Sequence, residues 1–294
     1  AYASFGILLN AQLVQQVRNP PSWSNSLDRA IAEQSLRYVL WISYKTILSY
    51  TYNNQYYFYQ AMMTGSVSTF ADVALNFGAP AVRGDSVLRV AHSRGRRTVM
   101  YGDDTWLRLF PGLWTESDGT TSFYVSDYTE VLTRGRLFHY YPELWSNLDL
   151  ILLHYLGLDH IGHLEGARSS KIKPKLLEMD EIVKKIYTDR TGVLIVCGDH
   201  GMLDAGGHGG STPSEVLVPL VQHCNFLSYP SVGPVVAQVD VAPTISWLLG
   251  VQFPKDNTGH ILPALMPQDT RQYLYLQHVH ALQFSKQLPT DMGM

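Results

Sequence analysis

The sequence predicts an α/β fold: a mostly parallel sheet with helices on both faces. Three observations carry this. Short apolar runs rich in β-branched residues, such as Val193–Cys197 (VLIVC), are separated by stretches of helical periodicity, such as Pro174–Tyr187. That alternation is the pattern of strand–helix–strand units, which build parallel sheets. Aspartate and histidine also follow directly after two of the strand runs, and open sheets of this class bind ligands beyond the carboxyl ends of their strands.

Taken in order, residues 1–60 differ in texture from the rest. Asn19-Pro20-Pro21 breaks the chain. Leu36, Leu40, Tyr44 and Leu48 share a helical face, so a helix is expected over Leu36–Leu48. Tyr50–Tyr59 (YTYNNQYYFY) has neither helical nor strand periodicity. From Ala61 the pattern becomes regular. Asp72–Leu75 is a short apolar segment, and Gly78-Ala79-Pro80 is a turn. Asp85 is the expected N-cap of a helix through His92, ended by Gly95. Thr98–Tyr101 is a strand that delivers Gly102–Trp106 (GDDTW), and Phe123–Val125 reads as an edge strand. Asp149–His154 is a strand ahead of Asp159 and His163. Leu176, Met179, Val183 and Ile186 mark an amphipathic helix over Pro174–Tyr187, with Pro174 suited to its first turn. Val193–Cys197 and Val216–Val221 are strands. Asp240 caps a helix through Leu249 that Gly250 closes, and Gln272–Leu288 is a final surface helix.

A chain of 294 residues is one large α/β domain or two small ones. A formal charge of -3 gives no electrostatic footprint for nucleic acid. No run of 18 apolar residues marks a transmembrane helix. Of the two cysteines, Cys197 ends a core strand and reads as a small buried hydrophobe; a disulfide with Cys224 stays open.

The chemistry concentrates in two loops. Asp159 and His163 are four apart and face one side of a helical turn. Asp199 and His200 are adjacent, so both reach one ion only from an irregular turn, which a strand end supplies. His208 lies among Gly206, Gly207, Gly209 and Gly210 and is free to reach across. Carboxylate oxygen with imidazole nitrogen suits zinc or manganese better than magnesium. His154 reads as strand packing, and His160 as a supporting or surface residue. Asp204 competes with His208 as a ligand but suits its glycine turn as a turn former. Asp103 and Asp104 either line a substrate pocket or form a solvated turn. Two adjacent ions favour in-line displacement at phosphorus. No Ser-His-Asp arrangement or phosphate-binding glycine loop competes.

These motifs carry a resemblance. HYLGLDHIGH, GDHGM and GGHGG, with YGDDTW, LFPG and DGTTSFYVSDYTEV, resemble the glycosylphosphatidylinositol (GPI) ethanolamine phosphate transferases, two-zinc phospho-enzymes of the alkaline-phosphatase superfamily. The match runs from about Ala61 to about Leu288. It implies an alkaline-phosphatase-like catalytic domain over 61–265, after a divergent segment over 1–60 and before a helical tail over 266–294. It implies one zinc held by Asp159, His163 and His208, and a second by Asp199 and His200. The implied reaction moves phosphoethanolamine from phosphatidylethanolamine to a mannose, the second one, of the GPI precursor glycolipid. The implied setting is the lumenal side of the endoplasmic reticulum membrane, with a membrane partner subunit.

The chain departs from the family's pattern in front. The family's second metal also takes an aspartate from a first strand, apolar residues followed by D-A-L-R, and a nucleophilic threonine. No such strand precedes Ala61, so the first strand is expected to be missing. The threonine stretch, P-T-x-T or P-T-x-S ahead of A-L-x-T-G, corresponds to residues before Ala61–Gly65 (AMMTG). There Asn53 takes the threonine's place, with Thr51 close by, so the catalytic nucleophile is not identified. After Glu130-Val131 the chain continues Leu132-Thr133-Arg134, where the family has Asp and Asn. The expectation is a partial or mis-spliced version with a foreign front, an inactive paralogue being the other account. Two other functions fit the residues. One is a metal-dependent phosphodiesterase or nucleotide pyrophosphatase that releases product to water. The other is a non-catalytic lumenal partner-binding module.

Overall fold

A computed structural model describes residues 4–10, 42–48, 55–67, 81–120, 148–189, 192–224, 235–262, 265 and 270–287. The readings at residues 19–21, 51, 53, 72–75, 78–80, 123–125 and 132–134 lie outside these.

Among the described residues the strands are β1 (Ser4–Asn10), β2 (Ile42–Leu48), β3 (Thr98–Asp103), β4 (Glu116–Thr120), β5 (Leu150–Tyr155), β6 (Gly192–Cys197), β7 (Leu217–Cys224) and β8 (Val236–Ala237). The helices are α1 (Gln55–Thr64), α2 (Val87–Ser93), α3 (Thr105–Leu109), α4 (Gly157–Glu165), α5 (Ile172–Asp189), α6 (Pro213–Val216), α7 (Val241–Leu249) and α8 (Thr270–Gln287). None of them is long and apolar enough to cross a membrane.

The strands form one sheet in the order β4-β3-β5-β1-β6-β7-β2-β8. Pairs β3–β4, β3–β5 and β2–β8 are parallel; β1 is antiparallel to β5 and β6, and β7 to β6 and β2. Six strands therefore run one way, with β1 and β7 reversed. The α/β architecture is present, with a parallel run over β4-β3-β5 and a mixed sheet beyond it. Its centre is held by β1, which runs from Phe5 opposite Cys197 to Asn10 opposite Gly192.

Strand parity sorts the side chains onto two faces. Leu150 and Leu152 join a core with α1, α2, α3 and α7, through Phe58, Met62, Leu88, Trp106 and Ile245. Ile151, Leu153 and Tyr155 face the other way, onto Leu158 and Ile161 of α4 and Met179, Ile182 and Ile186 of α5. Helices cover both faces, as expected. Strands β3, β5, β6 and β8 all end on one edge of the sheet, and there the chemistry collects.

Several local expectations are corrected. Residues 42–48, read as the end of a helix, form β2. Ile42, Tyr44, Thr46 and Leu48 fit a period of two as well as one of four, and seven residue pairs with β7 decide for the strand. The aperiodic tyrosine-rich stretch leads into α1. From Phe58 to Met63 this helix is largely buried, and a helix enclosed all round has no amphipathic period to read. The N-cap of α2 is Ser86, whose hydroxyl accepts the N–H of Arg89 at 3.2 Å; Asp85 instead accepts the N–H of Ser86 at 3.0 Å. The disulfide does not form: Cys197 is a free thiol. In the β6–β7 register Cys197 lies opposite Leu220 and Cys224 opposite Val193. Four residues of strand separate them by ~13 Å, beyond what a disulfide spans.

On α8, His280 is buried against Phe253 (ring centroids 4.8 Å) and His260 (5.6 Å), with neither ring nitrogen hydrogen-bonded among the described residues. Burial first, then the charge of His260, pushes its pKa down to about 4. The folded protein thus keeps His280 neutral, while the unfolded chain takes up the proton near pH 6.5. Its contribution to stability is intact above that pH and is lost as pH falls from 6.5 towards 4. His280→Phe should flatten the fall in Tm over this window, measured by thermal melts in a pH series.

Candidate metal centre

Two strand ends and a loop meet here. β5 runs into α4, whose helical spacing sets Asp159 and His163 on one side; their Oδ1 and Nε2 are 3.4 Å apart. β6 ends at Cys197, and the turn after it carries Asp199 and His200, both 1% exposed. The loop through His208 then folds back onto α4. It comes close because α4 offers Gly162, where an added Cβ would lie 1.8 Å from Met202 Sδ.

The result is a tight triangle. His208 Nε2 is 3.5 Å from Asp159 Oδ1 and 3.0 Å from His163 Nε2. Ligands held at 2.0–2.1 Å around a tetrahedral zinc are themselves about 3.3 Å apart, so these three atoms have the spacing of three zinc ligands. The His200 ring stacks on His208 at 3.7 Å, and Asp159, His200 and His208 also group closely enough to share an ion.

Hydrogen bonding makes the same point. His200 Nδ1 lies 3.0 Å from the carbonyl of Gly201. A carbonyl only accepts, so Nδ1 carries the proton, and in the neutral ring Nε2 presents its lone pair. That lone pair faces Asp199 Oδ2 at 3.5 Å and Asp159 Oδ1 at 4.0 Å, and among the described residues none of these three buried atoms has a hydrogen-bond partner. Acceptors converging on acceptors call for a cation. The donor set fits a divalent one, with nitrogen and oxygen mixed.

The charges respond accordingly. Burial alone would raise the pKa of Asp159 and of Asp199, but the histidines beside them more than offset it, and both carboxyls lie below their ordinary range. Asp159 holds the His163 pKa up. Burial, then the charge of His200, lowers His208 to about 4, which keeps its ring neutral and fit to ligate at neutral pH.

Behind this cluster lies His154, expected from the sequence as strand packing. His154 sits on the β5 face covered by α1 and α3. Its Nε2 is 3.5 Å from Asp199 Oδ2, and its Nδ1 is 4.0 Å from Asp103 Oδ2. Tyr59 donates to Asp103 Oδ2 at 3.2 Å, touches the His154 ring edge-on and stacks on Trp106 at 4.4 Å. Burial works against a charge on His154. The close approach of Asp199, with the charges of Asp199, Asp103 and Asp159, raises its pKa nonetheless. The signal available in the sequence was parity: His154 shares its face with Leu150 and Leu152, one turn of chain before Asp159.

The remaining candidates divide. Asp103 is fully buried in this polar cluster, also accepting the N–H of Thr105 at 2.9 Å. Asp104 turns outward to Arg108 at 2.7 Å. Asp204 pairs with Arg168 on the surface, so the loop gives His208, not Asp204, to the cluster. His160 is half-buried on α4. Phe58 of α1 lies 5.4 Å from the His200 ring, so the start of α1 approaches the site.

No protein-family model matches the chain. It is 42% identical over 252 residues to the catalytic subunit of GPI ethanolamine phosphate transferase 2 of Homo sapiens, covering 79% of this chain and 25% of that protein. It is 40% identical over 235 residues to GPI ethanolamine phosphate transferase 2 of Schizosaccharomyces pombe, covering 69% and 31%. It is 38% identical over 213 residues to the catalytic subunit of GPI ethanolamine phosphate transferase 3 of Mus musculus, covering 70% and 19%. Among solved structures, an alkaline-phosphatase-superfamily protein from Vibrio parahaemolyticus aligns with a TM-score of 0.48 at 14% identity, covering 86% of this chain and 66% of that one. The chain is thus related by sequence to the GPI ethanolamine phosphate transferases, and it spans roughly a quarter of the length of the relatives first named.

Removing His154 would strand Asp199 as a buried charge without its neighbour. Breaking a buried pair from one side costs about 3–5 kcal/mol. His154→Leu should show a loss of that order in urea denaturation with chelator present.

Proposed function

We propose that this relative of the GPI ethanolamine phosphate transferases carries the metal-binding part of a phosphoryl-transfer centre. Its substrates are phosphatidylethanolamine and the GPI precursor glycolipid, and its setting is the lumenal side of the endoplasmic reticulum membrane beside a partner subunit. The reaction of the complete centre is transfer of phosphoethanolamine to a mannose, the second. The single observation that supports the reading best is the triangle of Asp159 Oδ1, His163 Nε2 and His208 Nε2, with edges of 3.4, 3.0 and 3.5 Å.

Asp159, His163 and His208 hold one cation, and Asp199 and His200 a second. A divalent ion there, zinc by its donor set, supplies a Lewis acid for a phosphoryl oxygen. The residues do the rest. Asp159 and Asp199 supply the negative charge that retains cations. The Gly201 carbonyl fixes the His200 tautomer. His163, the most exposed of the five, stands at the mouth where a phosphoester enters. Three protein ligands leave the first site an open position for substrate. The second has only two and binds more loosely.

The nucleophile is the weak part. With Asn53 in the threonine's place, the chain has no hydroxyl there to attack phosphorus, and a carboxamide cannot replace it. This sequence observation favours a partial or inactive version, or a non-catalytic module that binds metal without turnover, over a complete transferase.

Zinc titration of the 294-residue chain should give one tight and one loose equivalent. His208→Ala should weaken the tight one by more than the ~10–100-fold that loss of an outer partner costs. Unchanged stoichiometry and affinity in a folded His208→Ala variant would sink the assignment.

The chain as written should not transfer phosphoethanolamine. Replacing the residues before Ala61 with a front that carries an aspartate strand and a threonine turn should restore transfer. Product assays with mannose and water as competing acceptors separate transferase from phosphodiesterase. Transfer by the unmodified chain at the repaired rate would show that the nucleophile is already present.

A further inference from the structure

We propose that Glu215 is the positioning residue that clamps the His208 loop onto the His200 turn. The proposal rests on the metal reading above and adds to it the residue that brings two of the ligands together.

Glu215 is 4% exposed. A carboxylate so enclosed is costly unless it is hydrogen-bonded, and this one is. Oε1 accepts the N–H of Gly210 at 2.8 Å. Oε2 accepts the hydroxyl of Thr212 at 2.6 Å and its N–H at 3.3 Å. The main-chain oxygen of Glu215 accepts the N–H of Gly201 at 2.7 Å. One residue thus ties together Gly201, which follows His200, and Gly210, two residues beyond His208.

A simpler role accounts for only part of this. Thr212 and Glu215 form a capping box at the start of α6. That helix has four residues, however, and the bonds to Gly210 and Gly201 lie outside it. The close approach is built into the neighbours as well. An added Cβ on Gly201 would lie 1.9 Å from the Ser214 carbonyl, and one on Gly210 would lie 2.6 Å from Glu215 Oε2. Without the clamp, His208 hangs on a segment with glycines on both sides, and such a segment loses much conformational freedom on being fixed. A ligand presented from a loose loop binds weakly; one held by an outer hydrogen bond does not.

The test uses the full chain in five forms: wild type, Glu215→Ala, Glu215→Gln, His208→Ala and the double variant Glu215→Ala with His208→Ala. Zinc affinity is read by competition with a chromophoric chelator, ligand geometry by cobalt(II) absorption, and the loop by amide hydrogen exchange at Gly201 and Gly210. Glu215→Ala should weaken zinc ~10–100-fold, alter the cobalt spectrum and speed exchange at Gly210. Glu215→Gln should fall between, since only one of its two terminal atoms accepts. Because Glu215 acts through His208, the double variant should bind zinc as His208→Ala does, without a further loss. Wild-type zinc affinity with a protected Gly210 amide in Glu215→Ala would overturn the proposal, as would losses that add in the double variant. If Glu215→Ala does not fold, Glu215→Gln with and without His208→Ala gives the same comparison. Equal zinc binding by wild type and His208→Ala tells against the metal reading, and exchange at Gly210 then decides the clamp by itself.

Discussion

Three carboxylates buried at one edge of the sheet set the terms for everything around them. Asp103, Asp159 and Asp199 are all under a tenth exposed, and they converge. Negative charges do not share a dry space without compensation. The protein meets the demand with an inner layer, Tyr59 and His154, and an outer layer, His163, His200 and His208. The inner layer is already hydrogen-bonded or paired; the outer layer ends in lone pairs. That division tells structure from chemistry here. Asp103 is answered by the protein, whereas Asp159 and Asp199 each keep an oxygen with no hydrogen-bond partner among the described residues.

How much of this could be read in advance follows from where each signal lives. Asp159 and His163 are four apart on one helix, so local geometry already pairs them. Asp199 and His200 follow a strand whose apolar run is unmistakable, and the run's end places them. His208 was readable from its glycines, which only make sense if the loop must approach something closely. His154 was not readable, because an imidazole in a strand looks the same whether its face meets leucine or aspartate. What meets it, Asp103 and Tyr59, arrives from β3 and α1. Glu215 was hidden differently: its partners are backbone N–H groups, and no sequence spells out which amides will lack a partner.

The fold shows the same split. β3, β5 and β6 came directly from their continuous apolar runs, the mark of strands buried on both faces, α5 from its helical period and α7 from the glycine that closes it. β2 and α1 did not. The residues of β2 allow two periods, and its pairing with β7 decides between them across a gap of about 170 residues. α1 is enclosed on nearly every side, which erases the pattern by which a helix is recognised. β4, Glu116–Thr120, has the composition of a turn (ESDGT) and is a strand only because β3 lies beside it.

The reversed central strand has a consequence for how the chain reaches this state. β1 is made before either of its two neighbours, β5 and β6, which lie roughly 150 and 190 positions later. At ~5–20 residues per second of synthesis, its sequence SFGILLN waits on the order of 10–40 seconds before its second flank exists. Until then the sheet has no middle. A short apolar segment with both edges unpaired is the kind that finds other chains. Assembly of the metal-binding edge, which needs the ends of β5 and β6 side by side with β1 between them, is therefore a late event. The yield of folded protein should depend less on the stability of the finished site than on how that early strand is sheltered.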